Sequence, residues 1–314
     1  MNTSLYQASL NDALWRDMSH FGRFSVSGKD AAQLLHHLTT NDIKGLKVGQ
    51  SCEAALITSK ARMLDLVSVF RRDDDFLVVT SPNRREMFAP HLRAFILYRQ
   101  DVKIEDVSES GALFGLFGNN RNRVLDVRDL SSSQVQSVTK NATTFQVAST
   151  TRLPLNGVLT WSDSRAELTR WVQQSGVALC DNETYNVLRV ESGVPATGLE
   201  LTEDVNPWEA GLSDAISLNK GCYNGQEIVA RLNTYQKVKR SLRGLKLSGE
   251  DSSTSTRLKA DGKDAGFITS RAVSPRFGAI ALAYIRGDYA QSGQQLQVED
   301  SSQSAVVCDL PFSD

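Results

Sequence analysis

The densest run of chemically unusual side chains in this 314-residue chain is Lys220-Gly221-Cys222-Tyr223-Asn224-Gly225-Gln226-Glu227. It holds a thiol between a cation, Lys220, and an acid, Glu227. Glycine serves where a backbone needs positive φ or close approach to another group, so Gly221 and Gly225 predict a tightly shaped loop. The thiolate is the form of cysteine that attacks electrophiles and binds metal. Lys220 and the loop's backbone N–H groups would favour it. Cys222 and Lys220 are therefore candidate catalytic residues. A plain turn around a buried cysteine is the competing reading.

Other residues suggest binding rather than bond-making. Glu191 lies near the end of an expected helix, Asp181–Ser192, where the helix dipole disfavours an acid. Either it has a specific partner there or it is a solvated carboxylate. Tyr185, six residues earlier, does not share a stripe with it on an ideal helix, so the two can flank a bound ring but not stack together. Between Glu227 and Glu250 no acid occurs, while Arg231, Lys237, Lys239, Arg240, Arg243 and Lys246 do. That stretch is either an anion site, for a carboxylate tail or a phosphate, or a solvated linker strand. His36 and His37 are neighbours on one helix, so their side chains diverge, and both are expected at the surface. Cys52, Cys180, Cys222 and Cys308 are scattered without a CxxC pair, so no metal site is specified. Free thiols in a reducing cytosol are the simplest reading.

The elements that must position these residues follow from patterning. With 40% hydrophobic and 23% charged residues, the chain reads as an ordinary globular protein, long enough for two or three packed units. A net charge of -1, from 35 basic and 36 acidic residues, excludes a global attraction to nucleic acid or membrane. No apolar run approaches the ~20 residues that span a bilayer, and Met1–Asp12 has no signal-peptide character; a cytoplasmic protein is expected. A strand is expected around Phe21–Val26. A helix with Ala31, Leu34, Leu35 and Leu38 on one face follows, with Ser27 as its N-cap. Strands at Glu53–Thr58, Met63–Phe70 and Phe76–Thr80 come next, then a helix opened by Ser81-Pro82 and a strand at Val102–Val107. This order matches a split β-α-β arrangement. A second α+β unit is expected from Gly111 on. From Leu242, five short strands with turn signals between them predict a small C-terminal β-barrel.

Several segments together resemble the glycine-cleavage T-protein (aminomethyltransferase) superfamily. They are Ser27-Gly28-Lys29-Asp30-Ala31, Thr40-Asn41-Asp42, Gly49-Gln50, Arg189-Val190-Glu191-Ser192-Gly193-Val194-Pro195, Asn206-Pro207-Trp208-Glu209-Ala210-Gly211-Leu212, Thr269-Ser270 and Ser274-Pro275. Within it, the loop Lys220–Glu227 resembles that of the folate-binding YgfZ family, whose mitochondrial relatives assist iron–sulfur cluster assembly. The resemblance implies an α+β aminomethyltransferase-like folate-binding fold: residues 1–241 as two intertwined α+β subdomains and residues 242–314 as the barrel.

It further implies a tetrahydrofolate-type ligand in a central opening. Phe21 and Tyr185 match aromatic positions expected to contact it, Glu191 the carboxylate expected to accept from the pterin, and Arg240 a basic residue for the glutamate tail. Asp65 falls near the place of an Asp-Asp pair that supports aminomethyl transfer in T-proteins, with Leu66 in the other place. Together these imply a folate-dependent accessory protein for iron–sulfur cluster assembly or repair, indirectly supporting cluster enzymes such as those that modify tRNA. Its implied partners are folate and either cluster-assembly proteins or client iron–sulfur enzymes, without direct nucleic-acid or membrane contact. A tetrahydrofolate-dependent aminomethyltransferase or demethylase is the enzyme alternative, and a pure binding module is a third.

Overall fold

The protein is described by a computed structural model over residues 1–127, 130, 133–140, 142–234, 238–249 and 255–313. Lys237 and Glu250, which bound and populate the basic stretch, lie outside the described residues. Among those residues the helices are α1 (Thr3–Asn11), α2 (Ala31–Leu38), α3 (Arg85–Arg93), α4 (Arg121–Leu125), α5 (Arg165–Gln174), α6 (Asn182–Glu191) and α7 (Gln226–Thr234).

The first sheet has five antiparallel strands in the order Ser51–Ile57, Met63–Arg71, Asp75–Val79, Arg23–Ser27, Lys103–Asp106. Successive side chains of a strand point to opposite faces, and Met63–Arg71 divides accordingly. Val67 and Val69 join Leu34, Leu35 and Leu38 of α2 and Phe88 and Leu92 of α3 in one core. Phe70 faces the other way and packs with Leu14, Leu113, Phe117 and Trp161 of the second sheet. Helices thus cover one face of the first sheet and the second sheet covers the other.

The second sheet has six strands, ordered Ala178–Leu179, Leu14–Asp17, Ala112–Phe117, Val158–Ser162, Thr143–Ser149, Val135–Lys140. Its second strand comes from before the first sheet in sequence and runs antiparallel to Ala112–Phe117, so the two units are threaded through one another. The C-terminal strands close into a six-stranded barrel, ordered Arg240–Leu247, Gly278–Arg286, Lys263–Ser274, Arg257–Ala260, Gln295–Val298, Ser304–Cys308. The expected α+β architecture with a terminal barrel is therefore present.

Local details differ from the sequence reading. Ser27 ends a strand, and Asp30 occupies the N-cap of α2. His36 is buried, with Nδ1 3.2 Å from an Asp42 oxygen, whereas His37 is exposed. Leu14–Asp17 and Ser304–Cys308 are strands that the pattern did not reveal. The former is too short to alternate legibly, and the latter has an uncharged polar-apolar texture like the turns around it.

Candidate functional site

The loop 220–227 is pinned on all sides. Lys220 is 7% exposed, and its Nζ donates to the carbonyls of His36 (2.6 Å), Thr39 (2.6 Å) and Asn41 (2.7 Å). These are acceptors at and just beyond the C-terminus of α2, where a cation complements the orphan carbonyls and the dipole. Burial pulls the Lys220 pKa down to about 8, against the pull of Asp42 and Cys52. Beneath the ammonium lies the buried Tyr223 ring, 4.7 Å from Nζ to centroid. Asn224 N–H donates to His37 O at 2.9 Å. Gly225 has φ +80°, and a Cβ there would fall 2.7 Å from Thr58 O, so this position requires glycine. A Cβ on Gly221 would meet only His36 Nε2, at 3.8 Å, so that position has no such need. Cys222 is exposed, as are Gly221 and Glu227. An ammonium has three protons to donate, and all three serve the carbonyls. Lys220 therefore anchors the loop to the end of α2. Glu227 stands in the first turn of α7.

A second cluster sits where the two sheets meet. Asp65 is 0% exposed, with Oδ1 accepting from Leu66 N–H at 2.8 Å and Oδ2 from Ser81 N–H at 3.0 Å. Glu53 accepts from Ser68 Oγ at 2.8 Å and Thr150 Oγ1 at 2.6 Å. Burial raises the pKa of both acids, and the nearby Arg152 guanidinium partly offsets it. Arg152 is itself buried and donates to Ser68 Oγ (3.1 Å), Val79 O (2.9 Å) and Ser81 Oγ (3.1 Å). It stands between two cavities, since Ser68 lines one and Ser81 the other.

The larger cavity, about 870 Å³, opens where the first sheet, the second unit and the barrel meet. Its wall includes Glu53, Phe70, Glu191, Arg276, Phe277 and Phe312. Glu191, the last residue of α6, has the specific partners its position called for. Tyr6 OH donates to it at 2.9 Å and Ser274 Oγ donates as well. Burial raises the Glu191 pKa, and the two hydroxyls hold it back. Glu191 thereby ties α1, α6 and the barrel together, and the N–H of Phe312 donates to its backbone carbonyl at 2.9 Å. The smaller cleft, about 170 Å³, holds Phe21 and Tyr185 with Arg16, His20, Arg152 and Arg189.

The structure thus brings Phe21 and Tyr185 together, and puts Glu191 in the other cavity. Arg240 lines neither of these two. It donates to Asp204 O at 2.5 Å, lies 3.5 Å from Glu209, and covers the Phe267 and Tyr284 rings. Sequence reasoning missed Glu53, Arg152 and Tyr6. Glu53 had a signal, an acid heading the apolar run Ala54–Ile57 of a strand. Arg152, in a turn between strands, had none. Among the described residues, no group of three or more His, Cys, Asp or Glu is placed to hold a metal ion. No helix among them is long and apolar enough to cross a membrane.

Comparison with known proteins adds three findings. Residues 6–153 match the GCVT N-terminal domain, and residues 240–314 match the glycine cleavage T-protein C-terminal barrel domain. The chain is 31% identical to a chloroplastic putative transferase of Arabidopsis thaliana, over 94% of this chain and 70% of that protein. It is 30% identical to an aminomethyltransferase of Rubrobacter xylanophilus, over 94% and 82% respectively. In fold it is similar to the glycine cleavage system aminomethyltransferase T of Bartonella henselae, with a TM-score of 0.84 and 22% identity, covering 99% of this chain and 89% of that one.

Proposed function

Because the chain belongs to the glycine-cleavage T-protein family of tetrahydrofolate-using aminomethyltransferases, we propose that it is a tetrahydrofolate-binding accessory protein of the YgfZ type, serving assembly or repair of iron–sulfur clusters through Cys222. The large cavity fits the ligand. Its volume of about 870 Å³ is in the roughly 300–1,000 Å³ range of small-molecule sites. A pterin is a flat ring with a donor edge, and the wall offers the carboxylates of Glu191 and Glu53 to accept from it. The rings of Phe70, Phe277 and Phe312 offer apolar faces, and Arg276 offers a cation for a glutamate tail. When bound, tetrahydrofolate supplies one-carbon and redox chemistry. What the chain's own residues contribute is recognition and exclusion of water.

The observation that carries the accessory reading is the contrast between Cys222 and Asp65. Cys222 is exposed on a loop whose neighbours are fastened, and it lines neither of the two cavities. Such a thiol meets a partner protein more readily than a ligand in the cavity. Clusters are usually held by four cysteine ligands, so one thiolate implies transient sharing with a cluster-assembly protein or a client enzyme. Asp65, the residue the enzyme alternative needs, is fully buried, with both oxygens engaged by backbone N–H groups.

The test is a strain lacking the protein, complemented with Cys222→Ala. Activities of several unrelated iron–sulfur enzymes, tRNA-modifying ones included, are expected to stay low. Full restoration would remove the thiol from the mechanism. Separately, titration with tetrahydrofolate is expected to saturate and to weaken in Glu191→Ala; no binding at millimolar ligand removes the folate assignment. Turnover of an aminomethyl or N-methyl donor, lost in an Asp65 variant, would instead establish the transferase alternative.

A further inference from the structure

A groove of about 610 Å³ runs between the hairpin around residues 71–75 and the strands Val135–Lys140, Thr143–Ser149 and Val158–Ser162 of the second sheet. Its volume is within the roughly 300–1,000 Å³ range of small-molecule sites. It shares Phe70 with the larger cavity and no lining residue with the smaller cleft. Folate recognition leaves it unused. Trp161 lines this groove, is 7% exposed and packs on Phe70 with ring centroids 4.5 Å apart. Its indole N–H has no acceptor among the described residues, although it is not sealed from solvent. A buried indole N–H ordinarily has a partner. This one is a donor open to the groove with no oxygen to meet.

Around this donor the groove carries an excess of negative charge. The hairpin's arginines are answered within the hairpin: Arg72 Nε donates to Asp75 at 2.6 Å, and the charges of Arg72 and Arg71 both act on Asp75. Asp73, Asp163 and Glu167 line the groove, are exposed, and form no ion pair among the described residues. Asp163 acts on Arg72 as well, from beyond ion-pair distance. Arg165, close by in sequence, is turned to Asp17 at 3.1 Å. The helix dipole favours acids at the start of α5 on its own account, so Asp163 and Glu167 alone would indicate no ligand. Beside the idle indole N–H they do. Neutral groups complete the lining. Gln146 Nε2 donates to Ser137 Oγ at 3.3 Å while its amide oxygen is unused, and the hydroxyls of Ser137 and Thr144 keep spare capacity.

From this juxtaposition we infer that the groove binds a small hydroxylated amine of the amino-sugar class. Asp163 and Glu167 accept charge-assisted hydrogen bonds from its ammonium. One of its oxygens accepts from the Trp161 N–H, and its other hydroxyls exchange hydrogen bonds with Gln146, Ser137 and Thr144. The C–H face of its ring packs against the exposed Val48. The same acids repel an anion, and a purely apolar ligand would cover the indole N–H without giving it an acceptor, which is costly. The inference does not depend on the folate reading, because Phe70 is the one lining residue common to the two spaces.

The probe is glucosamine, titrated calorimetrically into the full chain, with glucose, which has a hydroxyl in place of the ammonium, as its neutral counterpart. Saturable binding of glucosamine with a Kd at or below about 10 mM is expected, and glucose is expected to bind at least about tenfold more weakly. Asp163→Asn and Glu167→Gln, both at exposed positions, are each expected to weaken glucosamine about tenfold and to leave tetrahydrofolate affinity unchanged. Trp161→Phe keeps a ring against Phe70, removes the N–H, and is expected to weaken glucosamine likewise. Absence of saturable glucosamine binding overturns the proposal, as does equal binding of glucose. A glucosamine affinity unchanged in both Asp163→Asn and Glu167→Gln places the amine elsewhere and overturns it too. Displacement of glucosamine by tetrahydrofolate overturns the groove as a separate site while leaving folate binding itself established.

Discussion

Asp65 and Glu53 show how one buried cation sets the behaviour of two acids. Both lose hydration, and Arg152 answers only part of that loss through space, so each holds its proton more firmly folded than unfolded. For an acid raised in this way, the stabilising contribution is complete below its ordinary value, 3.8 for Asp65, and is lost as pH rises through the folded value. Asp65→Asn leaves either Leu66 N–H or Ser81 N–H without its acceptor, at a cost of about 1–3 kcal/mol. The stability gap between wild type and this variant, from urea unfolding, is expected to be wider at pH 4 than at pH 7. A gap that widens toward neutrality would mean that the fold prefers the ionised carboxylate.

At the scale of elements, the instructive case is Lys220 closing the end of α2. The helix leaves carbonyls of its last turn without intrahelical donors, and a side chain 184 residues away supplies one of them. The same ammonium holds the turn after the helix and so sets the height of the loop that carries Cys222. Lys220→Met keeps the length of the side chain and removes all three bonds. Its expected cost is about 2–4 kcal/mol, from several buried acceptors losing a charged donor. Thermal unfolding reads the cost. Alkylation of Cys222 by iodoacetamide should remain fast, because exposure and not Lys220 governs its access. A marked slowing in Lys220→Met would establish Lys220 as an activator of the thiol.

Across the whole molecule, Glu191 is where the N-terminal helix, α6 and the barrel are joined, and it also faces the large cavity. Binding and assembly are therefore coupled there. Ser274→Ala deletes the donor from the barrel, and with it the Ser274 oxygen that accepts from Arg276 and Phe277 N–H. A loss of about 1–2 kcal/mol of stability is expected. Because Arg276 and Phe277 line the cavity, weaker tetrahydrofolate binding should accompany it. Unchanged binding in a destabilised Ser274→Ala protein would separate the barrel's docking from the ligand site. Glu191→Gln keeps an acceptor for Tyr6 and Ser274 but loses the charge, so it should retain more stability than Glu191→Ala while losing affinity.

Local sequence determined much of this protein. Period-two and helical patterning gave the helix with Leu34, Leu35 and Leu38, the hairpin around residues 71–75, and most barrel strands, because those signals are written in neighbouring residues. The oddness of an acid at the end of α6 pointed to a partner for Glu191, and the loop around Cys222 stood out by residue type alone. What only the tertiary structure decided are pairings between residues distant in the chain: Tyr6 and Ser274 at Glu191, Arg152 between Glu53 and Asp65, and Lys220 under the end of α2. It also parted Tyr185 from Glu191 into two cavities, since six residues along a helix turn a side chain to another face. The physical reason is common to all of these. Burial and charge compensation depend on which elements meet, and a hydrogen bond across 185 residues leaves no trace in the pattern around either end.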